Sequence, residues 1–175
     1  MIYRSITRVL VGLVALMVAV FSMGAIAWAE PDAELTPEKI DLIRQRCSSL
    51  QFALQQIEKR DAVSRINRGR DYDQMLRQVS ALNSRFAYNK LSVPDLIQLT
   101  NDLQSAVDRF RADYDKYDTD LSDAAKIDCK TKPIDYYTII QRARDDRTMV
   151  GDQVKVVNDL MGQYRAAVVN YRSAQ

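Results

Sequence analysis

Apolar residues recur along most of this chain at alternating spacings of three and four, with polar and charged positions between them. Ile40, Ile43, Cys47, Leu50, Leu54 and Ile57 make an uninterrupted stripe, and Tyr72, Met75, Val79, Leu82 and Phe86 make another after an irregular stretch. A further run reads Leu96, Leu99, Leu103, Val107, Phe110, Tyr114, Tyr117 and Leu121. The last begins at Tyr137 and Ile140 and continues through Val150, Val154, Val157, Met161, Tyr164, Val168 and Tyr171. A repeat of about 3.5 residues means helices packed side by side along a shared seam. No segment alternates with the two-residue period of a strand.

Three prolines mark where these helices begin. Thr36 precedes Pro37 and Glu38, Ser92 stands at capping-box spacing from Asp95 around Pro94, and Thr131 precedes Pro133 and Asp135. Each arrangement offers a hydroxyl cap, a proline whose missing N–H costs nothing in the first turn, and an acid near the helix N-terminus. In a helix interior the same proline would cost about 3 kcal/mol.

The register of the first segment fails around Asn67, Arg68, Gly69, Arg70 and Asp71. Glycine costs about 1 kcal/mol relative to alanine there. Asp71 and Gln74 could cap a new helix, which would give four helices with a break near Gly69. The cysteines favour three. If the chain reverses between residues 89 and 93, antiparallel pairing with a continuous first helix brings Cys47 near Cys129, whereas a first helix folded back at Gly69 places them less naturally. The expectation is an all-α, antiparallel three-helix coiled-coil-like bundle over residues 37–173, with helices at about 37–89, 93–124 and 133–173. Residues 30–36 serve as a linker.

The segment ahead of that linker has a different character. Arg4 and Arg8 precede residues 9–28, which carry no charge, and Ala27-Trp28-Ala29 is a small-x-small cleavage signal. A signal peptide cleaved after Ala29 is expected, with residues 1–29 kept as an uncleaved membrane anchor as the alternative, since the run approaches the roughly 20 residues a spanning helix needs. Either way the basic end stays inside and the bundle lies outside the cytoplasm, periplasmic or secreted. Contact with a membrane is expected only through residues 9–29, if they are retained. In an exported chain, two cysteines with no other soft metal ligand imply a disulfide between Cys47 and Cys129.

Composition narrows the function more by absence than by presence. The leader holds two of the 25 Lys and Arg and none of the 23 Asp and Glu, so the rest carries 23 of each and no net charge. Nucleic-acid binding, which wants a basic face, is not expected. There is no histidine, which excludes Ser-His-Asp and Cys-His nucleophiles and histidine zinc sites. Glu30, Glu34, Glu38 and Glu58 are the only glutamates, so a di-iron bundle built on Glu-x-x-His is excluded too. No catalytic residues, cofactor or metal are expected.

Asp113, Asp115, Asp118, Asp120 and Asp123 form an acidic cluster. A calcium loop of the EF-hand type fails here, because a loop beginning at Asp118 has Asp123 where glycine is needed and Cys129 where glutamate is needed. A solvated helix end is the simpler reading. Lys59, Arg60, Arg65, Arg68, Arg70 and Arg77 thicken positive charge near Gly69, but Glu58, Asp61, Asp71 and Asp73 are interleaved and helix-face ion pairs account for most of it. Tyr136 and Tyr137, beside the cysteine loop, are candidates for a partner surface together with Arg65, Arg68 and Arg70. Arg142, Arg144, Asp145, Asp146 and Arg147 interrupt the third stripe and could, with the Gly69 region, build an internal polar layer.

These features point to a non-enzymatic structural or protein-interaction module of the cell envelope, pairing with an unknown envelope protein or with itself through its helices. Two alternatives stand beside it. One is a hydrolase of envelope polymer working with carboxylates, which would need a deep pocket with converging aspartates. The other is a bundle that binds a lipid or small molecule in a cavity at the stutter, between Ile66, Leu76 and the third helix near Val150.

Overall fold

The structure, a computed structural model, describes residues 35–173. The leader, with Ala27 and Ala29, and most of the linker lie outside the described residues. Three helices account for nearly everything else: α1, Pro37–Tyr88; α2, Pro94–Lys126; and α3, Pro133–Ser173. α1 runs through Gly69 without a break, so the four-helix alternative does not hold. A Cβ at Gly69 would meet nothing within 4 Å, so no close packing there bends or interrupts the helix. Among the described residues no helix is long and apolar enough to cross a membrane.

The helix starts follow the prolines, but only one follows its expected cap. Thr36 accepts a hydrogen bond from the backbone N–H of Lys39 at 3.4 Å, as an N-cap does. At α2 the cap position is Val93, without a side-chain cap bond, and not Ser92. Val93 is buried, so the start of α2 is fixed by packing and by Pro94. At α3 the Thr131 hydroxyl turns back to donate to the Asp128 carboxylate at 3.0 Å, and the same carboxylate accepts from the Lys130 N–H. Asp128 thereby organises the loop that carries Cys129, and its own pKa is lowered by those bonds, the Lys130 backbone bond foremost.

α1 ends in a paired set of backbone bonds, from Leu91 N–H to the Phe86 carbonyl at 2.9 Å and from Lys90 N–H to the Ala87 carbonyl at 3.0 Å. This is the arrangement that closes a helix through one left-handed residue. Here that residue is Lys90, with φ of 59°. The chain then reverses into α2, and antiparallel pairs step along the two helices: Asn83 with Thr100, Asp73 with Arg111, Arg65 with Asp115, Asp61 with Tyr117.

The core lies mainly on α2, whose Leu103, Val107 and Phe110 are almost fully enclosed. α2 and α3 make the closest pair of the three, α1 lies against α2, and α1 approaches α3 at few points. Small buried residues, Ala106 and Ala124 on α2 and Ala143 on α3, allow the close approach of that pair. Tyr72, Phe110, Tyr114 and Tyr117 form a continuous edge-to-face ladder between α1 and α2, with centroids 5.1 to 5.7 Å apart. The disulfide joins the early part of α1 to the loop between α2 and α3, with Cα atoms 5.4 Å apart and both cysteines buried. Gln51 ties the same level by donating to the Ile127 carbonyl at 2.9 Å.

Two stability measurements test this account. With the cysteines 82 positions apart in sequence, replacing both by serine should cost about 4 kcal/mol of unfolding free energy in denaturant titrations, and reductant should have the same effect on the parent chain. Lys90→Gly should stabilise by up to about 1 kcal/mol in the same assay, by removing a side chain from left-handed backbone.

Candidate functional site

Midway along the bundle the hydrophobic core gives way to a polar layer. Its centre is Asp61 of α1, one of two buried charged residues among those described, with only 8% of its surface exposed. Tyr117 of α2 donates its hydroxyl to one carboxylate oxygen at 2.7 Å, and Tyr114 donates to the Asp61 backbone carbonyl. Arg147 of α3 stands 3.6 Å from the same carboxylate and Arg60 3.4 Å from its other oxygen. All three helices therefore meet at Asp61. Among the described residues no buried side-chain N or O atom lacks a partner, as a stable interior requires.

The layer follows from the heptads. Continued past Ile57, the first stripe of α1 places Asp61, Ser64 and Arg68 at the next core positions, before a four-residue shift restores apolar residues at Tyr72. Arg147 likewise falls three residues before Val150 in the stripe of α3. Of the residues expected to build an internal polar layer, Arg147 reaches Asp61 and Arg68, from the Gly69 region, lines a groove beside it, whereas Asp146 faces Lys116 of α2 at 3.8 Å. Extending the repeat through the irregular stretch is the signal that identifies Asp61.

The groove beside the layer has a volume of about 290 Å³. It is lined by the buried Asp61, Phe110, Tyr114, Tyr117 and Val150, by the half-buried Val154, and by Ser64, Arg68, Arg147 and Gly151. The groove lies at the level where a cavity beside Val150 was expected, although neither Ile66 nor Leu76 lines it. Ile66 points outward and Leu76 is packed in the core.

A second, wider depression of about 660 Å³ lies between α2 and α3 and carries Asp115, Asp120, Asp145 and Asp146. Most of these acids are engaged by bases: Asp120 by Arg142 at 3.1 Å, Asp146 by Lys116 at 3.8 Å, and Asp115 by Arg65 at 3.1 Å. Asp118 shares Arg65, and Asp123 pairs with Lys126. The acidic cluster thus spreads into ion pairs, and no group of acids able to hold a metal ion occurs among the described residues.

The remaining candidates separate. Tyr136 is buried against the core, so it offers no partner surface, and burial raises its pKa. Tyr137 beside it is half-buried. Arg65 sits 5.9 Å above the Tyr114 ring while holding Asp115 and Asp118. Arg70 stays on its own helix, donating to Asn67 at 2.7 Å. Of the three arginines, Arg68 alone lines the groove. A second polar tie, absent from the expectations, lies toward the other end: Tyr164 donates to Asn83 at 2.8 Å and Asn83 donates to Thr100 at 2.8 Å, joining all three helices again.

Compared with protein-family models, with curated proteins and with solved structures, the chain matches none.

The tyrosines give the layer a pH dependence. Tyr117 is pushed well above its ordinary value of 10.0, first by burial and then by its bond to Asp61 and the carboxylate charge; Tyr114 is raised too, chiefly by burial. A group that holds its proton more tightly when folded stabilises the protein fully below its unfolded pKa, and that contribution fades as pH rises through the folded value. The melting temperature should therefore begin to fall above about pH 10. Tyr117→Phe should make the fall shallower, with Tyr114, Tyr136 and Tyr164 supplying the remainder, at a cost of about 1 kcal/mol at neutral pH. Asp61→Ala, which strands the Tyr117 hydroxyl, should cost about 2 kcal/mol.

Proposed function

We propose that this protein is a non-enzymatic binding module that works outside the cytoplasm, in the cell envelope, and that its binding surface is the open seam between α1 and α3. The observation that carries the reading is the incomplete closure of that seam. Leu50, Ile57, Met75 and Leu82 on α1 and Ile140, Val154, Met161 and Val168 on α3 are only partly buried against the core. Two rows of half-covered apolar side chains, on helices that touch each other at few points, make a trough suited to an amphipathic helix from an envelope protein, the helix-in-groove mode of recognition.

The disulfide and the charge-free stretch of residues 9–28 support an oxidising, extracytoplasmic setting. The ion pairs that occupy the acids of the α2–α3 depression favour binding over carboxylate catalysis. Self-association remains within the same reading, since α1 also carries Phe52 and Val63 on its outer face, three turns apart and more than half exposed.

Site-specific photo-crosslinking in intact cells of the native host tests this. A benzophenone side chain placed at Met75 or Val154 should capture a protein adduct of defined mass, whereas one at Gln104 on the outer side of α2 should not. Recovery of the unmodified chain from both trough positions would falsify the interaction reading.

A further inference from the structure

The middle of the trough has a chemistry that a partner helix does not require. Arg68 from α1 and Arg147 from α3 both line the groove, and Asp61 is the one carboxylate among its lining residues. Arg147 leans on that carboxylate at 3.6 Å, while Arg68 takes part in no ion pair among the described residues. Two guanidiniums against one carboxylate leave a surplus of positive charge at the mouth. Val150 and Val154 supply the apolar part of the lining, and Ser64, whose hydroxyl donates to the Arg60 carbonyl, stands one turn from Arg68 on α1.

Gly151 adds an independent observation. It lies inside α3, where glycine weakens a helix, and a Cβ there would meet nothing within 4 Å in this chain. No packing within the protein demands a glycine, yet its bare backbone forms part of the groove lining. Gly162, further along the same helix, has equally free surroundings but lies away from the groove.

The geometry points to a binding site for a small amphipathic carboxylate, its acid group held between Arg68 and Arg147 and its apolar body laid along Val150 and Val154. Guanidinium is suited to the role, because its planar fork matches the two oxygens of a carboxylate. A volume of about 290 Å³ sits at the small end of ligand clefts, roughly 300 to 1,000 Å³, which fits a single medium-length acyl chain and excludes a two-chain lipid. This goes beyond the interaction reading: a helix would follow the whole trough, whereas the carboxylate occupies its middle.

The test uses the full chain with three probes of equal chain length, decanoate, decanol and decyltrimethylammonium, followed by calorimetry. Decanoate should bind about tenfold more tightly than decanol, with the cation weakest, and Arg68→Gln should remove most of that preference. Gly151→Ala should raise the melting temperature by roughly 2 to 4 °C, as helix propensity dictates, and weaken decanoate binding at the same time. Gly162→Ala should bring the same stabilisation with binding unchanged. Equal affinity for the three probes, or an Arg68→Gln variant that keeps the preference, would overturn the carboxylate site while leaving the crosslinking result untouched. Absence of any binding overturns it too. A protein adduct from Met75 or Val154 together with no decanoate binding would separate the two readings.

Discussion

The bond between Cys47 and Cys129 sets the register of a helix that noncovalent packing holds rather lightly. α1 is 52 residues long and meets its neighbours mostly along one seam with α2. A helix packed on one side can slide by a heptad with little change in the kind of residue it buries. The disulfide removes that freedom at one end, and two polar ties remove it further along. Asp61 finds Tyr114 and Tyr117 in the middle, and Asn83 finds Thr100 and Tyr164 near the reversal. Polar partners suit this task because a slip would leave a buried hydroxyl or carboxylate unpaired, whereas a slipped leucine meets another leucine.

The same economy of contact makes the trough. Buried alanines at Ala106, Ala124 and Ala143 suit the close approach of α2 and α3, and the rings of Tyr72, Phe110, Tyr114 and Tyr117 fill the seam between α1 and α2. Large side chains on one seam and small ones on the other give a bundle that is tight between two helices and open toward the third. The groove at Asp61 is the deepest expression of that asymmetry, where the heptads also turn polar.

Sequence reasoning was most secure where a residue has one physical role. Pro37, Pro94 and Pro133 start helices because proline is at home in a first turn and costly later, and all three helices begin at them. It was weaker where a side chain has several competing partners. Ser92 and Thr131 looked like caps, but Val93 is anchored by burial and Thr131 is drawn to Asp128. Tyr136 looked like surface because it stands next to a loop, yet it turns into the core.

By itself the sequence determined the all-helical bundle, its three starts, its reversal between α1 and α2 and the pairing of its cysteines. Those features follow from periodicity, proline and the count of thiols, which are properties of the chain alone. Only the tertiary structure decided that Asp61 is buried against two tyrosines, that Arg68 and Arg147 line one groove, and that α1 and α3 touch at few points. A heptad shows which side of a helix is apolar; it does not fix how far the neighbouring helix stands. That distance depends on the sizes of side chains meeting across two other seams at once, and it made the difference between a closed core and an open groove.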